Sequence, residues 1–533
     1  MILNKNKELK IIYFSFIIFS IPIIILFLIK LFTFYNSFNL FVTSGAEVTT
    51  LNFLYNFLNG NNLLKLKDES ILYEFYGLNF HLIYFPFIKL FEIFNINYLF
   101  SSRVITTLFI LILPIILMKI SEKINYGNLI FGNNKKILYF IFLIFLINHQ
   151  SSSWWIITYR PDIIAIIFAY LGILTFLNFI ENNNVIYFIL SIFLCIISWT
   201  LKQNFLFFFC SIFLFLIFKK KYNFLVLFLF IVPIILLFIN YITGYNNLDL
   251  LNRSPGTIYS YFEIKNFFII LLKYLVKNPI LILLVFFIYQ NFRKKIDEMR
   301  FFLILVFFFL FFQSSIIAVL HGAGFNHLMT FMFFILISIG LINFHIISKF
   351  YVLISFFLII SSSLNYYQLM NYNLLGRQGL YFNKSEKNEI INFKSFIQNE
   401  TQLPTVIVGA SNRTEMLLLE DQLGKDTFQI TSYLDSSWRQ FLFRSKKEIA
   451  SYGKIFDQKF EKINSVLILE NSKDQKILVE LLKKKNFKYK KIYNVNVYEK
   501  KFKFLEIFNI SKYNNGKEFL SEKKFLIFEK AIF

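Results

Sequence analysis

Charge is what this sequence has least of. Asp, Glu, Lys and Arg make up 16% of its 533 residues, where a soluble globular chain carries about 25%. Hydrophobic residues reach 57%, with a mean hydropathy of +0.58. That balance excludes a water-soluble globular protein, because repeated apolar runs near or above about 18 residues read as membrane-spanning helices. Cysteine is nearly missing. Cys195 and Cys210 both lie inside apolar segments and show no metal or disulfide spacing, so neither a disulfide framework nor a thiolate metal centre is expected. Acidic residues are the scarcer charge, 32 against 55 Lys and Arg, for a formal net charge of +23. Much of that excess sits at the ends of apolar segments, where positive residues set topology, and no nucleic-acid partner is expected. Phosphate-binding loops are missing too: "VGASNR" at 408–413 reads as a strand-to-loop turn, but no GxGxxG or GxxxxGK follows it. There is no internal repeat, and no series of ionisable residues runs through the middle of the spans, which argues against a pump.

What the chain has in abundance is Phe (75) and Tyr (30), with many Ile, Lys and Asn. This is the composition of an AT-rich genome and is not read as a binding feature. The apolar runs and their basic ends predict an α-helical polytopic membrane protein with about eleven transmembrane helices. Lys5, Lys7 and Lys10 place the N-terminus in the cytoplasm, ahead of an uncleaved first helix that exits near residue 35. Residues 35–101 then form a large external loop, in which 48–58 and 80–94 are read as helices lying along the interface. Further spans are expected at about 102–120, 137–150 and 163–180, then outward to about 200, inward to the basic run Lys219, Lys220 and Lys221, at 223–242, in a segment ending at Arg293, and at 301–319, 328–344 and 350–365, with the strongest basic clusters all inside. Residues 1–365 are read as the transmembrane domain. Residues 366–533 are of mixed charge and are read as a C-terminal external, periplasmic α/β domain: "LPTVIVGAS" and "NSVLILE" as buried strands, "SKDQKILVELLKKKNF" as an amphipathic helix, "YKKIYNVNVYEK" as a strand pair or edge strand. The location implied is a bacterial inner (plasma) membrane, multi-pass.

Polar residues beside the spans collect on one predicted face, the external one. Glu47 follows the first helix; Arg160 and Asp162 flank Pro161 in "YRPD"; Lys202 interrupts "SWTLKQNF"; His321, Asn326 and His327 lie in "HGAGFNH". Ionisable groups at such positions are costly and usually face a cavity or a partner. A carboxylate accepts a proton from an attacking hydroxyl, and cations stabilise a departing phosphate, so the set suits glycosyl transfer from a lipid-phosphate sugar. Each also has a structural reading. Glu47 suits the N-terminus of the helix after it, Arg160 and Asp162 suit a local ion pair, and Lys202 suits a side chain snorkelling to the interface. Asp68, Glu69 and Glu74 read as a solvated face, and His321 and His327, six apart in a loop, are not metal ligands on spacing alone.

Residues 10–345 resemble the GT-C superfamily of polytopic glycosyltransferases, in the manner of its family 39-like, aminoarabinose- and mannosyl-transferase members. The resemblance is carried by "SGAEVTTLNFLYNFLNGNNL", "YEFYGLNFHLIYFPFIKLFEIFNINYLFSSRVITTL", "YRPDIIAIIFAYLGI", "LKQNFLF" and "GAGFNHLM", in that order. It departs from the family where Ala46-Glu47 stands for an Asp-Glu pair and Leu78 for a Pro. The resemblance implies Glu47 as a catalytic base, Asp162 as the second-loop acid that binds or orients the acceptor, and Arg103 as the Arg at the end of the first loop. Arg160 and Lys202 would hold the donor phosphate, with Asn326 and His327 among the substrate-binding residues. The partners implied are a polyprenyl-phosphate sugar donor, a lipid or glycan acceptor and membrane lipids. No cofactor is read from the sequence, and a divalent metal is left open. An O-antigen polymerase or ligase, and a lipid-glycan flippase, are the alternatives. The first would more naturally carry a large Arg-rich central external loop; the second predicts inverted repeats or broken helices with midplane charges.

Overall fold

A computed structural model describes residues 79–96, 98–124, 158–202, 205–243, 297–319, 392–393, 395–408, 427–430, 463–470, 475–500 and 518–531. It also describes single helical positions at 14, 18, 21, 50, 51, 54, 57, 58, 139, 143, 146, 268 and 272, and the turn at 247–248. The described part is mostly helical. Its helices are α1 (Asn79–Ile93), α2 (Tyr98–Ile124), α3 (Asp162–Asn182), α4 (Val185–Leu201), α5 (Phe207–Phe218), α6 (Tyr222–Thr243) and α7 (Glu298–Val319). Among the described residues three helices are long and apolar enough to cross a membrane: Phe100–Lys123, Asp162–Asn182 and Tyr222–Thr243. They identify a membrane protein. Of the expected spans, the first helix, those at 137–150, 328–344 and 350–365 and the segment ending at Arg293 lie wholly or largely outside the described residues.

The tightest pair is the α3–α4 hairpin, and its turn is written in "ENNN". Asn183 takes the left-handed conformation (φ 50°) and returns its N–H to the Phe179 carbonyl at 2.8 Å. Asn184 then caps α4 by accepting from the Ile186 N–H at 2.8 Å. Asn is among the few residues that enter the left-handed region at low cost, and its side chain is a favoured N-cap. Along the hairpin the two backbones are joined by hydroxyls. Ser191 donates to the Gly172 carbonyl at 2.9 Å and Ser198 to the Ala165 carbonyl at 2.7 Å. Gly172 permits that approach, since a Cβ there would stand 2.7 Å from the Cys195 Sγ. Small residues and interhelical hydroxyl bonds are the usual means of joining helices where the surroundings are as apolar as the side chains. Around the hairpin an aromatic core holds Phe176 against Phe302 at 4.3 Å and Phe179 against Phe188 and Phe224 at 5.0 and 4.7 Å.

Ion pairs fix how the helices are aligned. The C-terminal ends of α2 and α3 meet through Lys123 and Glu181. At the same level Lys221, after α5, bonds the Asn183 side chain at 3.0 Å and pairs with Glu298 at the start of α7 at 3.5 Å. Consequently the N-terminal ends of α2 and α3 and the C-terminal end of α4 lie together at the other end of the bundle. The expected interfacial segment 80–94 is the helix α1; 48–58 is helical at each of its described positions, with Leu51 and Leu54 buried in the bundle core.

Residues beyond 400 contain a five-stranded sheet of order β2-β1-β3-β5-β4, made of β1 (Thr405–Val408), β2 (Thr427–Ile430), β3 (Ser465–Leu469), β4 (Phe487–Lys500) and β5 (Glu518–Lys530). Strands β1, β2 and β3 are parallel, and β5 is antiparallel to both β3 and β4. Both faces are covered, as the unbroken apolar run of β3 requires. Leu467 and Leu469 pack with Phe393, Phe396 and Ile397 on one side, and Val466 and Ile468 pack with Leu482 of α8 (Gln475–Lys484) on the other.

Candidate functional site

The "TYRPD" turn, residues 158–162, sits at the N-terminal end of α3 and is buried throughout. Four other parts of the chain converge on it. The Asp162 carboxylate accepts a hydrogen bond from the Lys202 Nζ in an ion pair whose partners are 1% and 5% exposed. Lys202 is aimed there by its own backbone: its N–H still bonds the Ser198 carbonyl at 3.1 Å, but φ −148° and ψ 120° take it out of α4. It does not snorkel to the interface. Its side chain turns into the bundle, where the Asp162 charge offsets the cost of removing an ammonium from water.

The second contact is with the first loop. The Thr50 hydroxyl donates to the Tyr159 carbonyl at 3.0 Å across 109 residues, with Thr50 fully buried. The third comes from α1, where His81 Nδ1 and the Tyr159 hydroxyl are 2.7 Å apart. The fourth is from α1 and α2 together: Tyr84 meets Tyr159 edge-on at 5.0 Å, and its hydroxyl lies 2.8 Å from the Thr106 Oγ1. The Asp162 charge acts on that Tyr84 hydroxyl, and the Arg160 charge acts on Lys202, so these groups share one electrostatic environment. Arg103 is buried on α2, one turn before Thr106, and its carbonyl accepts from Thr107 at 3.0 Å. Nearby, Asn79 donates to the Asn247 side chain at 3.1 Å, and Asn247 donates to Asn240 of α6 at 2.7 Å. This amide series ties the start of α1 to the end of α6.

Of the residues singled out in the sequence, Arg160, Asp162 and Lys202 are therefore brought together, and Arg103 lies at the same end of the bundle. Glu47, Asn326 and His327 lie outside the described residues, as do Asp68, Glu69, Glu74 and His321. Thr50, His81, Tyr84, Thr106 and Tyr159 were not singled out. The one usable signal was His81, an ionisable residue ahead of the apolar run 82–88 and one of only five histidines. Hydroxyls and tyrosines carry no such signal in a chain with 30 Tyr.

Among the described residues the buried charged side chains at this end are Arg103, Arg160 and Lys202 against the single carboxylate of Asp162. The charge of these described side chains is net positive. No group of three or more His, Cys, Asp or Glu side chains forms among the described residues. No protein-family model matches the chain, and no curated protein matches it.

Proposed function

We propose that the chain is an integral membrane glycosyltransferase of GT-C type, moving a sugar from a polyprenyl-phosphate donor to a hydroxyl acceptor at the external membrane face. The observation that carries this reading is the bond from Thr50 to the Tyr159 carbonyl. Glu47 is three residues before Thr50, and three residues of chain reach at most about 11 Å. In this reading the Glu47 carboxylate acts at the Arg160, Asp162 and Lys202 cluster. In the reaction the acceptor hydroxyl gives its proton to the Glu47 carboxylate while its oxygen attacks the anomeric carbon. The bond from that carbon to the phosphate oxygen breaks, its electron pair leaves with the phosphate, and the anomeric centre inverts. Arg160, Lys202 and Arg103 stabilise the charge that develops on the leaving phosphate. Asp162 holds Lys202 in place and orients the acceptor, with Asn326 and His327 completing the substrate site. In this reading the bundle end bearing the cluster is external, as are residues 366–533, and the whole chain crosses the membrane about eleven times.

The test is transfer. Membranes containing wild type or Glu47→Gln are supplied with labelled polyprenyl-phosphate sugars, and released lipid phosphate and transferred label are measured. The expected loss in the variant, with insertion unchanged, is on the order of 10²–10⁴-fold. Equal transfer by both proteins would remove Glu47 as the base; no transfer by wild type with any donor would favour the flippase.

A further inference from the structure

Two polar side-chain atoms at the same end of the bundle as the cluster are buried without a hydrogen-bond partner among the described residues: Asn79 Oδ1 and Trp199 Nε1. Both residues are more than nine-tenths buried, at 7% and 4% exposed. Each lies close in sequence to a residue of the cluster. Asn79 is two residues before His81, which bonds Tyr159. Trp199 lies in the last turn of α4, three residues before Lys202. Helices α1 and α4 also touch one another. A Trp at a span end ordinarily belongs to the interface belt, but this one is turned into the protein.

Buried polar atoms in native proteins are nearly all satisfied, and each exception calls for an explanation. These two have opposite requirements: a carboxamide oxygen only accepts, and an indole N–H only donates. A carboxylate or phosphate would serve the indole and repel the amide oxygen. A hydroxyl serves either, because it donates and accepts. We infer that Asn79 and Trp199 recognise the uncharged, polyhydroxylated ring of the ligand, next to the cations that take its phosphate. The Asn247 bond to Asn79 Nδ2 leaves the amide oxygen as the group offered to the ligand. This inference rests on the proposed glycosyl-transfer reading, and assigns the part of that site that reads the sugar.

Binding separates the two. Purified full-length protein in lipid nanodiscs is titrated with a short fluorescent polyprenyl phosphate, either bare or carrying mannose, glucose or 4-amino-arabinose. Trp199→Phe keeps the ring and removes the N–H; Asn79→Leu keeps the volume and removes the acceptor. Each is expected to weaken the sugar-bearing lipid by about three- to tenfold, the range for one lost neutral hydrogen bond, while the bare lipid phosphate binds as in wild type. Asn247→Leu breaks the bond to Asn79 but keeps its oxygen, and is expected to retain the preference for the sugar-bearing lipid. Lys202→Met is expected to weaken both lipids. Equal weakening of both lipids by Trp199→Phe and Asn79→Leu, or an unchanged sugar preference, overturns the inference and leaves the phosphate reading intact. If wild type binds neither lipid, the phosphate reading itself falls, and the inference with it.

Discussion

The Asp162–Lys202 pair is the residue-level feature with the clearest energetic consequence. Each partner is almost fully enclosed, so removing one leaves the other charged and uncompensated, at a cost of about 3–5 kcal/mol. Replacing both with uncharged groups removes the penalty for burying charge along with the attraction. Asp162→Asn and Lys202→Met are therefore each expected to lower the unfolding midpoint of the detergent-solubilised protein markedly. The double variant is expected to lose much less than the sum of the two. Additive losses would show that the two side chains do not act as a pair. In the proposed reaction function would follow a different pattern: the double variant, although stable, would lack a cation assigned to the lipid phosphate. These charged residues were legible in the sequence because an ionisable group beside an apolar run stands out. Their arrangement was not. Arg160 and Asp162, two apart around a proline, suited a local pair, whereas the partner shown for the carboxylate is 40 residues away on the next helix. No sequence spacing announces that contact, which exists only because α3 and α4 fold back on each other.

At the scale of the elements, apolar length predicted the helices well. The expected spans 102–120, 163–180 and 223–242 are the cores of α2, α3 and α6. In the sheet, "TVIV" and "SVLIL" are strands, parallel and adjacent, and "YKKIYNVNVYEK" lies in the edge strand β4. Strands β2 and β5 were not foreseen. "TFQI" is too short to show a period. "SEKKFLIFEK" sets charges around an apolar run, and its strand character comes from pairing with β3 and β4 rather than from local pattern. The close approach of α3 and α4 was equally hidden, since it depends on which small residue faces which neighbour. Gly172→Ala tests it. The added Cβ has to displace the Cys195 Sγ and is met at 3.4 Å by the Ser191 carbonyl. Overpacking of this kind costs about 1–3 kcal/mol. Combining it with Cys195→Ala makes room for the methyl group and is expected to restore most of the lost thermal stability. Failure of that rescue would place the strain in the backbone rather than at the sulfur.

For the whole molecule, the distribution of charge between the two ends of the bundle matters more than the net +23. One end carries part-exposed pairs, Lys123 with Glu181 and Lys221 with Glu298, which water and lipid headgroups can solvate. The other hides Arg103, Arg160, Asp162 and Lys202 among hydroxyls and aromatic rings. Solvated pairs suit a membrane surface, while the buried charges at the other end are the ones the proposed reaction assigns to the lipid phosphate. α6 measures the distance between these ends. It begins directly after Lys221, runs 22 residues to Thr243, and so spans about 33 Å at the rise of an α-helix, the thickness of a bilayer's hydrocarbon core. Lys220 and Leu248, both exposed, flank it. In a background with Cys195 and Cys210 replaced by Ala, Lys220→Cys and Leu248→Cys are expected to react with a membrane-impermeant maleimide from opposite sides. In the proposed orientation, intact cells label at 248 and only permeabilised cells label at 220. Labelling of both from one side would mean that α6 does not cross. The reverse pattern would keep the bundle but put the cluster in the cytoplasm, where the proposed external acceptor cannot meet it.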